Sequence, residues 1–68
     1  MKYDVVQKVN SNLVIKSTWV DNLVGAKQAY HDTLKNLYAD KDTTNGVVAI
    51  LDDKLDVVDG CKEFIVKE

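Results

Sequence analysis

Val47-Val48-Ala49-Ile50-Leu51 is apolar at every position. Neighbouring side chains in a strand point to opposite faces, so the run predicts a central strand with hydrophobic groups on both sides of a sheet. Working outward, Val5-Val6, Leu13-Val14-Ile15, Val57-Val58 and Phe64-Ile65-Val66 share this property. Only one stretch of the chain has the period of a helix. One helix covers one face, so the second face is expected to need cover from outside the protomer.

That helix lies just upstream. After Asp21 or Asn22, either of which suits an N-cap, Leu23, Ala26, Ala29, Tyr30, Thr33, Leu34, Leu37 and Tyr38 recur at three- and four-residue steps. They form one buried stripe, with Lys27, Gln28, His31, Asp32, Lys35 and Asn36 on the wet side. Gly25 costs a helix up to about 1 kcal/mol relative to alanine, and close approach to the sheet beneath the Trp19 indole is the expected reason. Residues 39–45 are polar and form the exit loop, closed by Gly46.

Before the helix, residues 2–9 alternate as a strand, with Tyr3, Val5, Gln7 and Val9 on one face and Asp4, Val6 and Lys8 on the other. Asn10-Ser11-Asn12 suits a tight reversal, because asparagine tolerates the left-handed backbone. Residues 13–19 return, Leu13, Ile15, Ser17 and Trp19 alternating with Val14, Lys16 and Thr18. After the central strand, Asp52-Asp53-Lys54 reverse the chain and residues 55–58 run back. Asp59-Gly60 is either a second tight turn or a bulge in one long bent strand ending near Val66, and the shortness of 55–58 favours the bulge. The expected fold is α+β, β-β-α-β-β, with one helix packed on a small, mainly antiparallel sheet, and residues 1–68 are expected to form a single domain.

A domain of 68 residues is small enough to need help beyond its own core. The single Cys61 closes no internal disulfide and no Cys and His spacing matches a zinc site, so association with another chain is the remaining device. A hydrophobic fraction of 46% with 29% charged residues argues against disorder. A formal charge of −2 with nine dispersed lysines lacks the basic stripe that counterion release requires, so nucleic acid is not expected as a partner. The first nine residues lack a signal peptide's apolar core, and no run approaches the roughly 18 apolar residues of a membrane span. A cytoplasmic, reduced protein is expected, with no membrane association.

The chemistry-bearing residues read more simply as structural. Aligning Gly46 with the sixth position of an EF-hand loop puts Lys41 at the first, which removes the founding ligand. Asp52, Asp53, Asp56 and Asp59 then read as turn formers and edge solubilisers in preference to a metal site. His31 sits on the wet helix side without an orienting partner, and Cys61 has no basic neighbourhood to lower its pKa. Three glycines make no phosphate loop. No catalytic residue, cofactor or small-molecule substrate is expected. Tyr3, Val6, Val14, Val48 and Phe64 are the candidates for contact with a protein.

The order of elements and the segments KYDVVQKV (residues 2–9), AYHDTLKNLYAD (29–40) and AILDDKLDVVDGCKEFIVKE (49–68) resemble small proteins encoded by bacteriophages and prophages of Gram-positive bacteria. The resemblance implies a leading hairpin, a central helix and a closing strand pair, and a host-cytoplasmic or virion-associated setting. It carries no functional residues to transfer. The expected function is a non-enzymatic phage interaction protein that self-associates, as a homo-oligomer, or docks on a larger assembly through a sheet face or edge strand. The alternative is a small regulator or inhibitor of a host defence protein, acting through acidic loops at residues 40–42 and 52–59.

Overall fold

The computed structural model describes residues 1–67 and contains β1 (Lys2–Val9), β2 (Asn12–Val20), α1 (Leu23–Ala39), β3 (Asn45–Leu51) and β4 (Val57–Val66). The strands make one antiparallel sheet in the order β2-β1-β3-β4, so the β-β-α-β-β α+β arrangement stands. The long apolar run is in a central strand, as its two-sided character requires. β1 is the other central strand, and the chain passes from edge strand β2 to β3 by way of the helix. A helix of 17 residues is about 26 Å long, close to the length of an eight-residue strand, so α1 returns the chain to the far end of the sheet.

The first reversal is tighter than a three-residue loop. Val9 pairs with Asn12, and Asn10 and Ser11 both have positive φ (50° and 72°), as a type I′ turn demands. Asn22 is the N-cap, its Oδ1 accepting from the backbone N–H of Gly25 at 2.9 Å. A Cβ at Gly25 would stand 2.7 Å from Cε3 and Cζ3 of Trp19, so the glycine is what lets the indole lie against the helix. The Trp19 Nε1–H donates to Ser17 Oγ at 2.9 Å.

Val5, Val48, Ile50 and Ile65 of the sheet and Ala26, Tyr30, Leu34 and Leu37 of the helix form the core. The expected stripe is right except at its end: Tyr38 is exposed, and its hydroxyl donates to Glu63 Oε2 at 2.8 Å across the edge of the sheet. That bond raises the Tyr38 pKa, because ionising the phenol would set two negative charges together.

Two bulges shape the sheet. Val5 pairs with Ser17 and Val6 with Ile15, which leaves Lys16 as an extra residue in β2. Regular alternation through residues 13–19 is thereby overturned: Leu13 and Ile15 lie on the face away from the helix, while Ser17 and Trp19 lie towards it. In β4, Ala49 pairs with Lys62 and Leu51 with Val57, so residues 58–61 stand against Ile50 alone. Asp59 and Gly60 have φ of 46° and 69° there. The preferred single bent strand is the observed one, beginning two residues later than the sequence suggests.

Candidate interaction surface

The helix covers one side of the sheet, and among the described residues nothing covers the other. In a regular antiparallel ladder, directly paired residues share a face, so the uncovered face follows from the register. One row holds Thr18, Asp4, Leu51 and Val57, the next Ile15, Val6, Ala49 and Lys62, and the third Leu13, Lys8, Val47 and Phe64. Val66 extends the last row on β4. Leu13, Ile15, Phe64 and Val66 are 68%, 61%, 67% and 72% exposed, against 0 to 1% for Val5, Val48, Ile50 and Ile65 on the other side.

The polar groups on this face are Lys2, Asp4 and Lys8 on β1, Thr18 on β2 and Lys62 on β4. Asp4 Oδ1 accepts from the Thr18 hydroxyl at 2.8 Å across the β1–β2 pair. Lys8 stands at the other end of the same strand face. Neither Asp4 nor Lys8 has an ion-pair partner among the described residues. Lys62 lies over its neighbour, its Nζ 5.2 Å from the Phe64 ring centroid, an arrangement that keeps the cation at the rim. A shallow depression of about 230 Å³ opens at one end, lined by Lys8, Val47, Phe64 and Val66 among others.

The sheet's outer edges are less inviting. Edge strands that avoid pairing with other chains use bulges and charges, and both edges here have a bulge. β2 places Lys16 at its irregularity, and β4 bends at Asp59-Gly60.

Of the five sequence-derived contact candidates, the register brings only Val6 and Phe64 together on the uncovered face. Val48 is fully buried beneath the helix, so it offers no surface. Tyr3 is half-buried against the helix-side core, and Val14, opposite Gln7, is exposed but on the helix side. Leu13, Ile15, Val47 and Leu51 belong to the uncovered face and were missed. The adjacent-apolar runs contained all four, but the bulge at Lys16 decides the orientation of the first two.

Four of the loop aspartates are engaged within the fold. Asp52 Oδ1 accepts from the N–H groups of Lys54 and Asp56 at 2.8 and 3.0 Å, and Asp53 accepts from Lys2. Asp40 accepts from the Asp42 N–H and, through its other oxygen, from the Thr43 hydroxyl, and these bonds hold its carboxyl below the ordinary range. Asp59 pairs with Lys27 at 3.5 Å. Among the described residues no three His, Cys, Asp or Glu side chains gather as metal ligands would. His31 is exposed and meets the Tyr30 ring edge-on at 5.2 Å, and Cys61 is a half-buried free thiol packed against the core. No helix among the described residues is long and apolar enough to cross a membrane.

Compared with protein-family models, with curated proteins and with solved structures, the chain matches none significantly.

Proposed function

We propose that this chain is a non-enzymatic protein-binding module whose working surface is the uncovered face of its sheet. One observation carries the proposal: the face presents Leu13, Ile15, Phe64 and Val66 largely exposed around a half-buried centre at Val6 and Val47. Contiguous apolar surface of this kind is costly in water and marks a site of association. A small domain with one helix gains most from such a partner, because its own core is limited. The bulged edges support the face over an edge strand as the docking element. Asp40, Asp52 and Asp53 accept from backbone N–H groups and Asp59 pairs with Lys27, so these four carboxylates are poor bait for a phosphate-binding protein, which weakens the case for an acidic-loop inhibitor. The phage-like segments add a viral or prophage setting to the proposal.

A photo-crosslinking side chain placed at Ile15, and separately at His31 on the outer side of the helix, tests it in the cells that make the protein. Discrete protein adducts are expected from position 15 and none from position 31. Their absence at 15, or equal labelling from both positions, overturns the proposal.

A further inference from the structure

Resting on the protein-binding role proposed above, we infer that the open face closes on a second copy of this chain, with each strand lying antiparallel over its own counterpart. The charges of β1 select this arrangement. Asp4 and Lys8 flank Val6 on the same strand face, two residues to either side, with Lys2 beyond Asp4 at the end of the strand, and their neighbours on β3, Leu51, Ala49 and Val47, are apolar. A twofold axis through the Val6 row, roughly perpendicular to the strands, exchanges the two ends of β1. Each Asp4 then faces the partner's Lys8, twice in the dimer. Packed sheets lie about 10 Å apart, a gap that an extended lysine and a carboxylate span.

The other simple twofold, parallel to the strands, lays β1 over the partner's β3. Asp4 would then meet Leu51 of the partner subunit and Lys8 would meet Val47 of the partner subunit, leaving both charges desolvated and unpaired. The first arrangement pairs both of these β1 charges. Its central row, Ile15, Val6 and Ala49, meets itself as an apolar seam, and Lys62, at the β4 end of that row, meets the partner's Lys62 only at the solvated rim, where it lies over Phe64. The same operation carries the partner's β3–β4 turn, with its exposed Leu55 and Val57, over the depression beside Phe64.

The area is adequate. Four strands spaced by about 4.8 Å and some eight residues long cover about 500 Å² per copy, in keeping with the 19 Å width of the molecule. Two copies bury about 1,000 Å², the lower bound for a specific interface, so association in a roughly micromolar range is expected.

Sedimentation of the wild type, Asp4→Lys, Lys8→Asp, the double swap and Ile15→Lys is the test, with circular dichroism to establish that each is folded. Each single swap is expected to weaken the dimer about tenfold or more and the double swap to return it to within about threefold of wild type. Isotope-filtered nuclear Overhauser contacts between Val57 methyls and the Phe64 ring of the other copy are the mutation-independent readout, and remain decisive should Asp4→Lys fail to fold. A wild type that stays solitary up to about 1 mM, a dimer that the double swap leaves broken, or absence of the Val57–Phe64 contacts overturns the inference. Failure of the underlying role is distinguishable: a dimer untouched by Ile15→Lys does not use the open face at all, whereas a solitary chain that still crosslinks to other proteins from position 15 loses only the second copy.

Discussion

The two faces of this sheet are built from the same residue types and have opposite fates. Val5, Val48, Ile50 and Ile65 disappear beneath the helix, while Val6, Val47, Leu51 and Phe64 lie one residue away in sequence on the other side. The comparison teaches that apolar content in a small sheet does not report core size. It reports the sum of what the chain covers for itself and what it presents, and a single helix divides the two.

Removing side chains from each face should break the symmetry of composition most sharply. Ile50→Ala is expected to cost about 2 to 5 kcal/mol in urea unfolding, the sum of lost transfer energy and a cavity under the helix. Ile15→Ala, measured below the concentration at which chains associate, should stay within about 0.5 kcal/mol of wild type. Equal losses at both positions would mean that the second face is also part of the folded core.

The seating of the helix gives the next largest effect. Gly25→Ala gains up to about 1 kcal/mol of helix propensity, but its methyl would meet the Trp19 ring at 2.7 Å and Asn22 Nδ2 at 2.6 Å. Overpacking of that kind costs about 1 to 3 kcal/mol, so a net destabilisation of about 1 to 2 kcal/mol is expected, with a changed indole fluorescence. Asn22→Ala, which removes the acceptor for the Gly25 N–H, should cost about 1 kcal/mol on the covered side and leave open-face association unchanged once folding is allowed for.

The smallest effect is a pH dependence. Asp40 is held below the ordinary carboxylate range by the Asp42 N–H first and the Thr43 hydroxyl second. A carboxyl depressed in the folded state contributes fully above its unfolded value, about 3.9, and loses that contribution as pH falls through the lower folded value. Thermal midpoints should therefore fall less on acidification for Asp40→Asn than for the wild type, the difference opening below about pH 4. The Asp40 carboxyl resonance should titrate at a lower pH than that of a free aspartate. Because this loop only joins the helix to β3, the open face should not respond through it.

Much of the fold was legible without coordinates because its signals are local. The three- and four-residue recurrence of Ala26, Tyr30, Leu34 and Leu37 marks the helix, Asp21 or Asn22 begins it, with the structure choosing Asn22, and the short run before Asp59-Gly60 favours the bulge that is observed over a second turn. The candidate surface was legible only in part. Val6 and Phe64 can be named from sequence, but Val48, an outward candidate by its pattern, lies inward, and nothing local points Leu13 and Ile15 outward. Apolar neighbours such as Val47 and Val48 are interchangeable to a reader of sequence, since either can be the inward member of the pair.

What the sequence determined by itself was the inventory: four strands, one amphipathic helix with a polar side, and more two-sided apolar strand than one helix covers. Tertiary structure alone decided the allocation. The extra Lys16 turns Ile15 away from the helix, and Lys67, distant in sequence, donates its Nζ to the carbonyls of Leu37 and Asp40 at the helix end, where the last turn has no basic residue of its own. The physical reason is that periodicity and capping act within a few residues. Strand register and the far side of a helix terminus are set by groups brought together only when the whole chain has folded.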